Sequence, residues 1–197
     1  MKINKIIKIL ILSDFSIISS FGLIAPIFAI FISQQIIGGG VKVAGFAFTI
    51  YLLVSSLVRL PISRIVDQEL REKERVLLLI GGSVLMSSCY FFYTLAKFPW
   101  QVYLLEGLIG LGYAGNVAVW FDLFTRYIDK DRESFEWSIH GSIVALGSAA
   151  TAAIGGILAE KFGFNLIFIL VGIFGLIGSL VPIVIYKNFT KSFNQKL

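Results

Sequence analysis

Asp14, Glu106 and Asp122 stand inside long apolar runs of the sequence. A carboxylate at bilayer depth is costly and usually faces a bundle interior or a wet cavity. Each of the three is therefore a candidate for attracting a cation, carrying a proton or pairing with a buried base. At 100° per residue, Glu106, Gly110, Tyr113, Val117 and Trp120 fall on one stripe of a helix. An acid, a phenol and an indole on one face suit a cavity for small organic solutes, because aromatic rings offer flat apolar area with a polar handle. Asn116 is counted with this set, and Asp14 with it as a second proton site. The plainer alternative is that Tyr113 and Trp120 only pack between helices. Asp122 points about 160° away from Glu106 on the helical wheel, which suits a structural ion pair with an arginine between residues 67 and 75.

Two further sets are simpler. Ser13, Ser16 and Ser20 share a stripe beside Asp14, and serines on a membrane helix often bond their own backbone. Gly147, Thr151 and Gly155 recur at four-residue spacing, with His140 on the same stripe. Small residues so spaced let helix backbones approach closely, and the expectation places this face at a dimer interface. His140 there either senses pH or makes a plain hydrogen bond.

These groups need elements that cross a membrane. The chain has 197 residues, 57% of them hydrophobic and 15% charged, with mean hydropathy +0.87; a soluble domain is about 25% charged. One span takes about 20 apolar residues, so six spans use nearly the whole chain. They are predicted at 6–36, 43–66, 76–96, 100–127, 137–159 and 164–186, and are called spans 1 to 6 below. Span 1 passes Pro26 and is too long for a signal-peptide core, so it reads as an uncleaved first helix. Charged stretches at 67–75 and 129–136 lie on one side, as solvated loops or as gating elements.

Charge sets the orientation. Lys2, Lys5, Lys8, Arg64, Arg71, Lys73, Arg75, Arg126, Lys130, Arg132, Lys187, Lys191 and Lys196 collect on one side, against Lys42, Lys97 and Lys161 on the other. Lys and Arg mark the cytoplasmic face, so both termini are expected in the cytoplasm of a multi-pass protein of the inner (plasma) membrane. The net charge of +5 is explained by this clustering and implies no nucleic-acid partner. Cys89 is the single cysteine, so neither a disulfide nor a thiolate metal site is available within one chain. No nucleotide-binding loop, metal-ligand cluster or nucleophile constellation is present in the sequence; the expectation is a non-enzyme without cofactor or metal.

Several stretches together resemble the major facilitator superfamily. Residues 156–163 (GILAEKFG) resemble that family's loop signature G-x-L-A-D-R-x-G. The loop after span 2 carries a degenerate copy, with Asp67 and Arg71 in place, Ser63 for the first glycine and Leu70 for the second. Residues 106–114 (EGLIGLGYA) resemble R-x-x-Q-G-x-G-x-A, with Glu106 replacing the arginine tied to proton coupling. Span 1, with Asp14 and Gly22 to Pro26, and span 5, with Gly147 and Gly155-Gly156, look like drug-efflux members, although Thr151-Ala152 replaces the central Gly-Pro.

The resemblance implies an all-α fold of six transmembrane helices, arranged as two inverted three-helix repeats (about 6–97 and 98–187) and equal to half of that family's fold. The polar stretch 188–197 reads as a terminus, so residues 1–197 form one domain. A half with one cavity wall needs a second, and the expectation is a parallel homodimer moving small organic solutes by alternating access, with exchange against protons left open. Spans 1 and 4 would line the cavity, spans 2 and 5 would form the moving interface, and spans 3 and 6 would face lipid. Asp67 and Arg71 would gate it, with Asp67 docking near the amino end of the partner's span 5, where helix dipole and free amides favour an anion. The alternatives are one subunit of a heterodimeric transporter, a membrane regulator without transport, or a channel.

Overall fold

A computed structural model describes residues 3–187. Lys2, Lys191, Lys196 and the polar stretch 188–197 lie outside the described residues. The helices are α1 (Lys5–Gly22), α2 (Phe28–Gln35), α3 (Val41–Gln68), α4 (Glu72–Tyr93), α5 (Pro99–Tyr127), α6 (Glu133–Phe162) and α7 (Phe164–Leu180), with no strand among the described residues. Six of the resulting segments are long and apolar enough to cross a membrane, α1 and α2 together making the first and α7 continuing to Lys187 as the last.

Span 1 is not the single helix that its apolar run predicts. It breaks after Gly22, passes through a 3-10 turn at Ala25–Ile27 and resumes as α2. Pro26 causes this, because it has no N–H to donate and its ring obstructs the carbonyl four residues earlier. The other ends are set by local chemistry. Asn4 caps α1 by accepting the Ile6 N–H at 2.9 Å. Pro99 opens α5, and Gln101 Oε1 accepts the Lys97 and Phe98 N–H groups at 2.7 and 3.0 Å. Gly163 alone joins α6 to α7, at φ 79°, a left-handed conformation that glycine adopts without strain.

Packing interlocks the two halves of the chain. α5 packs on α3 and α4, α1 packs on α6 and α7, and α4 packs on α7. Exchanging span 1 with 4, 2 with 5 and 3 with 6 maps these five main contacts onto one another, although the smaller contacts of α6 with α7 and of α2 with α3 have no counterpart of like extent. Where helices touch most closely, glycine is required. A Cβ on Gly112 would stand 2.6 Å from the Gly82 carbonyl oxygen of α4, and one on Gly110 would stand 2.8 Å from the Tyr51 carbonyl oxygen of α3. The two central glycines of the span 4 motif thus seat α5 against both neighbours.

Two apolar clusters result, one around Phe31, Tyr93 and Phe168, the other around Leu10, Trp120 and Phe124 near the basic end of the bundle. α5 is the axis of the fold, with 67% of its apolar window buried. The corresponding shares for α3 and α6 are 17% and 6%, so these two helices lie at the periphery with open faces.

Candidate functional site

Bordering the first of these clusters lies a half-open cavity of about 360 Å³, walled by α1, the break in span 1, α3, α4 and α5. The break matters here: Ile24, Ala25 and Phe28 reach the cavity wall because the backbone turns at Pro26. Glu106 closes one end. It is 8% exposed, and the Tyr93 hydroxyl donates to its Oε1 at 2.6 Å. Tyr93 is in turn stacked on Phe168, with ring centroids 4.9 Å apart, and meets Phe28 edge-on at 5.6 Å. The carboxyl therefore has one fixed donor and an aromatic wall behind it.

Asp14 closes the other end, towards the basic end of the bundle, and its Oδ2 lies 2.5 Å from His140 Nε2 of α6. Tyr113 and Asn116 lie between the two acids. Asn116 is anchored to α4, its Nδ2 donating to Ser83 Oγ at 2.6 Å, and Ser83 Oγ donating to the Leu79 carbonyl at 2.7 Å. The cavity thus offers two acids at opposite ends of a largely apolar, aromatic wall.

Of the residues that the sequence assigns to the cavity, Glu106, Tyr113, Asn116 and Asp14 meet around it. Trp120 does not. It shares the stripe of Glu106 and Tyr113, but it lies seven residues beyond Tyr113, about 10 Å further along the axis. There its ring stacks on Phe124 at 4.6 Å, and its indole N–H donates to the Leu10 carbonyl at 3.4 Å. The stripe is longer than the cavity, so Trp120 belongs to the plug beneath it.

The ion pair of Asp122 is made by Arg75, whose Nη1 lies 2.7 Å from Oδ2, and Arg126 holds the other oxygen at 2.5 Å. Arg71 takes no part in it; it is exposed at the start of α4, where its backbone N–H donates to Glu74 Oε2 at 2.8 Å. Asp67 is exposed at the end of α3, within electrostatic reach of Arg126.

The small-residue stripe of α6 is filled within the chain. A Cβ on Gly155 would collide with the Leu23 carbonyl oxygen, and one on Gly147 would collide with Ser19 Oγ. Thr151 Oγ1 stands against Gly22, and His140 bonds Asp14. This face, expected at a dimer interface, seats α1 instead. Small residues permit close approach but do not name the helix that uses it.

Among the wall residues that sequence reasoning missed are two tyrosines, and it also missed one base beyond the wall. Tyr51 of α3 faces Tyr113, with ring centroids 5.7 Å apart, and Tyr90 of α4 stacks on Phe21 at 5.0 Å. Both sit in apolar runs with no acid within two helical turns, so nothing beside them marks a cavity-facing stripe. The base is Arg59 of α3, exposed within a membrane-length helix and within electrostatic reach of Tyr113. An arginine well inside an apolar run was the available signal for it.

Comparison with known proteins bears directly on this arrangement. A multi-drug resistance efflux pump PmrA homolog of Lactococcus lactis subsp. lactis (strain IL1403) is 27% identical over 176 residues, which is 87% of this chain and 42% of that protein. The chain thus spans less than half the length of the curated relative it matches. The family description Major Facilitator Superfamily matches residues 10–194, nearly the whole six-span bundle and every wall of the cavity. On that match the chain belongs to the Major Facilitator Superfamily.

Proposed function

We propose that this chain forms one wall of a secondary transporter that moves small organic solutes, amphiphilic cations among them, by alternating access with proton coupling. The carrying observation is Glu106, a carboxyl nearly sealed inside an aromatic cavity, with a single side-chain donor. A buried acid of this kind binds a cation or a proton far more readily than it stays charged and empty. The multidrug efflux name of the relative fits an aromatic cavity, which selects by flat apolar area more than by a fixed hydrogen-bond pattern.

The half-open cavity needs an opposite wall. The relative is more than twice as long as the matched region, which leaves room for a second six-helix unit. In our reading that unit is a second copy of this chain, related by a twofold axis along the membrane normal and docked on the open faces of α3 and α6. Asp67, exposed at the end of α3, then lies at the edge of the joint and serves as part of a gate.

Reconstitution tests this. Purified protein in liposomes should take up a fluorescent organic cation such as ethidium saturably, driven by an imposed pH gradient. Glu106→Gln should keep binding but lose at least tenfold of the gradient-driven rate, since the amide still accepts from Tyr93 and cannot carry a proton. Full coupled transport by that variant would remove Glu106 from the mechanism. Uptake that never saturates would favour a channel, and uptake that requires a different six-helix protein would favour the heterodimer.

A further inference from the structure

The end of the cavity opposite Glu106 is built differently. Asp14 lines the cavity and also holds His140, and the two side chains are 13% and 15% exposed. The imidazole lies among aromatic rings, with centroid distances of 4.5 Å to Trp120, 5.8 Å to Phe124 and 6.2 Å to Trp137. A carboxylate on one side and aromatic rings on the others make a site for a positive charge. The carboxylate thus has one side towards His140 and another towards the cavity.

The charged surroundings are few. From α5 the titratable neighbour is Tyr113, and beyond it, from α3, is Arg59. On α1, Lys8 is exposed six residues before Asp14. On α6, Glu136 stands one turn before His140, with its Oε2 accepting the Asp129 N–H at 3.4 Å. α7 and its continuation carry no charged residue before Lys187.

We propose that His140 is the displaceable counter-ion of Asp14, so that an organic cation entering the cavity exchanges for the proton on the imidazole. The cation takes the carboxylate, and the imidazolium, having lost its partner, releases the proton from Nε2 to water at the basic end. The nitrogen keeps the electron pair. The charge of the site is unchanged, because one positive charge replaces another, so the exchange adds no net charge to a low-dielectric cavity. The proton carrier at this end is the histidine and not the acid. The inference rests on reading the cavity as a solute site, but it does not involve Glu106.

The test is proton release on binding. Purified protein in weakly buffered detergent solution is titrated with tetraphenylphosphonium, with a pH indicator present, at pH 6 and pH 8. The wild type should release about one proton per bound cation at pH 6 and far less at pH 8, where a histidine is ordinarily neutral. Its affinity for the probe should weaken as the pH falls from 8 to 6. His140→Gln keeps a hydrogen bond to Asp14 without titrating and, made together with Glu106→Gln to silence the other acid, should bind with little pH dependence and no proton release. Binding by wild type without proton release at pH 6, or an unchanged release in the double variant, overturns the exchange and leaves the solute cavity standing. No binding by wild type at either pH overturns both. If His140→Gln fails to fold, the proton count of Glu106→Gln still decides: release retained there supports His140, and release lost there overturns the exchange.

Discussion

Asp122 is the acid whose role its position on the helical wheel suggests, away from the cavity and towards a base. Its surroundings are asymmetric. Arg75 is 6% exposed and depends on Asp122, apart from its bond to the Leu70 carbonyl at 3.0 Å, whereas Asp122 has a second base in Arg126. Removing one member of a buried pair strands the other, at a cost of about 3–5 kcal/mol. Asp122→Ala should therefore approach that range in unfolding from mixed micelles. Arg75→Ala should be milder, because Arg126 still covers the carboxylate. The double variant should be no worse than Asp122→Ala alone. Equal losses for the two single variants would count against this asymmetry. Which arginine serves was not legible in the sequence. Arg71 and Arg75 are one turn apart in the same charged stretch, and the choice falls to Arg75 because α4 starts at Glu72 and carries it inward.

At the scale of elements, the contact between α1 and α6 is decided by glycines. A methyl group on Gly155 would collide with the Leu23 backbone, which cannot rotate away as a side chain can, while one on Gly156 would meet nothing within 4 Å. Overpacking of this kind costs about 1–3 kcal/mol. Gly155→Ala should lower the thermal midpoint in detergent by several degrees, and Gly156→Ala should leave it unchanged or raise it slightly. Similar midpoints for the two variants would show that α1 does not sit where this packing puts it. The four-residue spacing gave warning of a close contact. It could not say that the neighbour is α1 of the same chain, since any helix backbone satisfies the same pattern. Span 1 shows the reverse case. Its apolar run is continuous, and one residue, Pro26, divides the helix and brings Ile24, Ala25 and Phe28 to the cavity.

At the scale of the whole molecule, α3 and α6 carry the open apolar faces. Leu57 and Leu146 are 66% and 71% exposed on these helices. If a second copy docks there, Leu57→Cys and Leu146→Cys, made in one chain, should form cross-linked dimers in lipid bilayers with a short bifunctional reagent. The buried Cys89 should contribute little background. Ile177 of α7 is 54% exposed, but on a face that this docking leaves to lipid, so Ile177→Cys should not cross-link. Cross-linking from α7 but not from α3 and α6 would reverse the assignment of interface and lipid faces.

Six spans, their order and the membrane as solvent follow from the sequence alone, because burying the backbone in hydrocarbon demands long apolar helices whatever their neighbours. The acids at depth were equally visible, since a charge in an apolar run stands out before any fold is known. Only the tertiary structure decided what each acid faces. Asp14 meets His140 across 126 positions of sequence, and Glu106 meets Tyr93 across a turn between helices. Helical periodicity fixes the direction of a side chain around its own axis, but the rotation and depth of one helix against another come from close packing at Gly82, Gly110, Gly112 and Gly155.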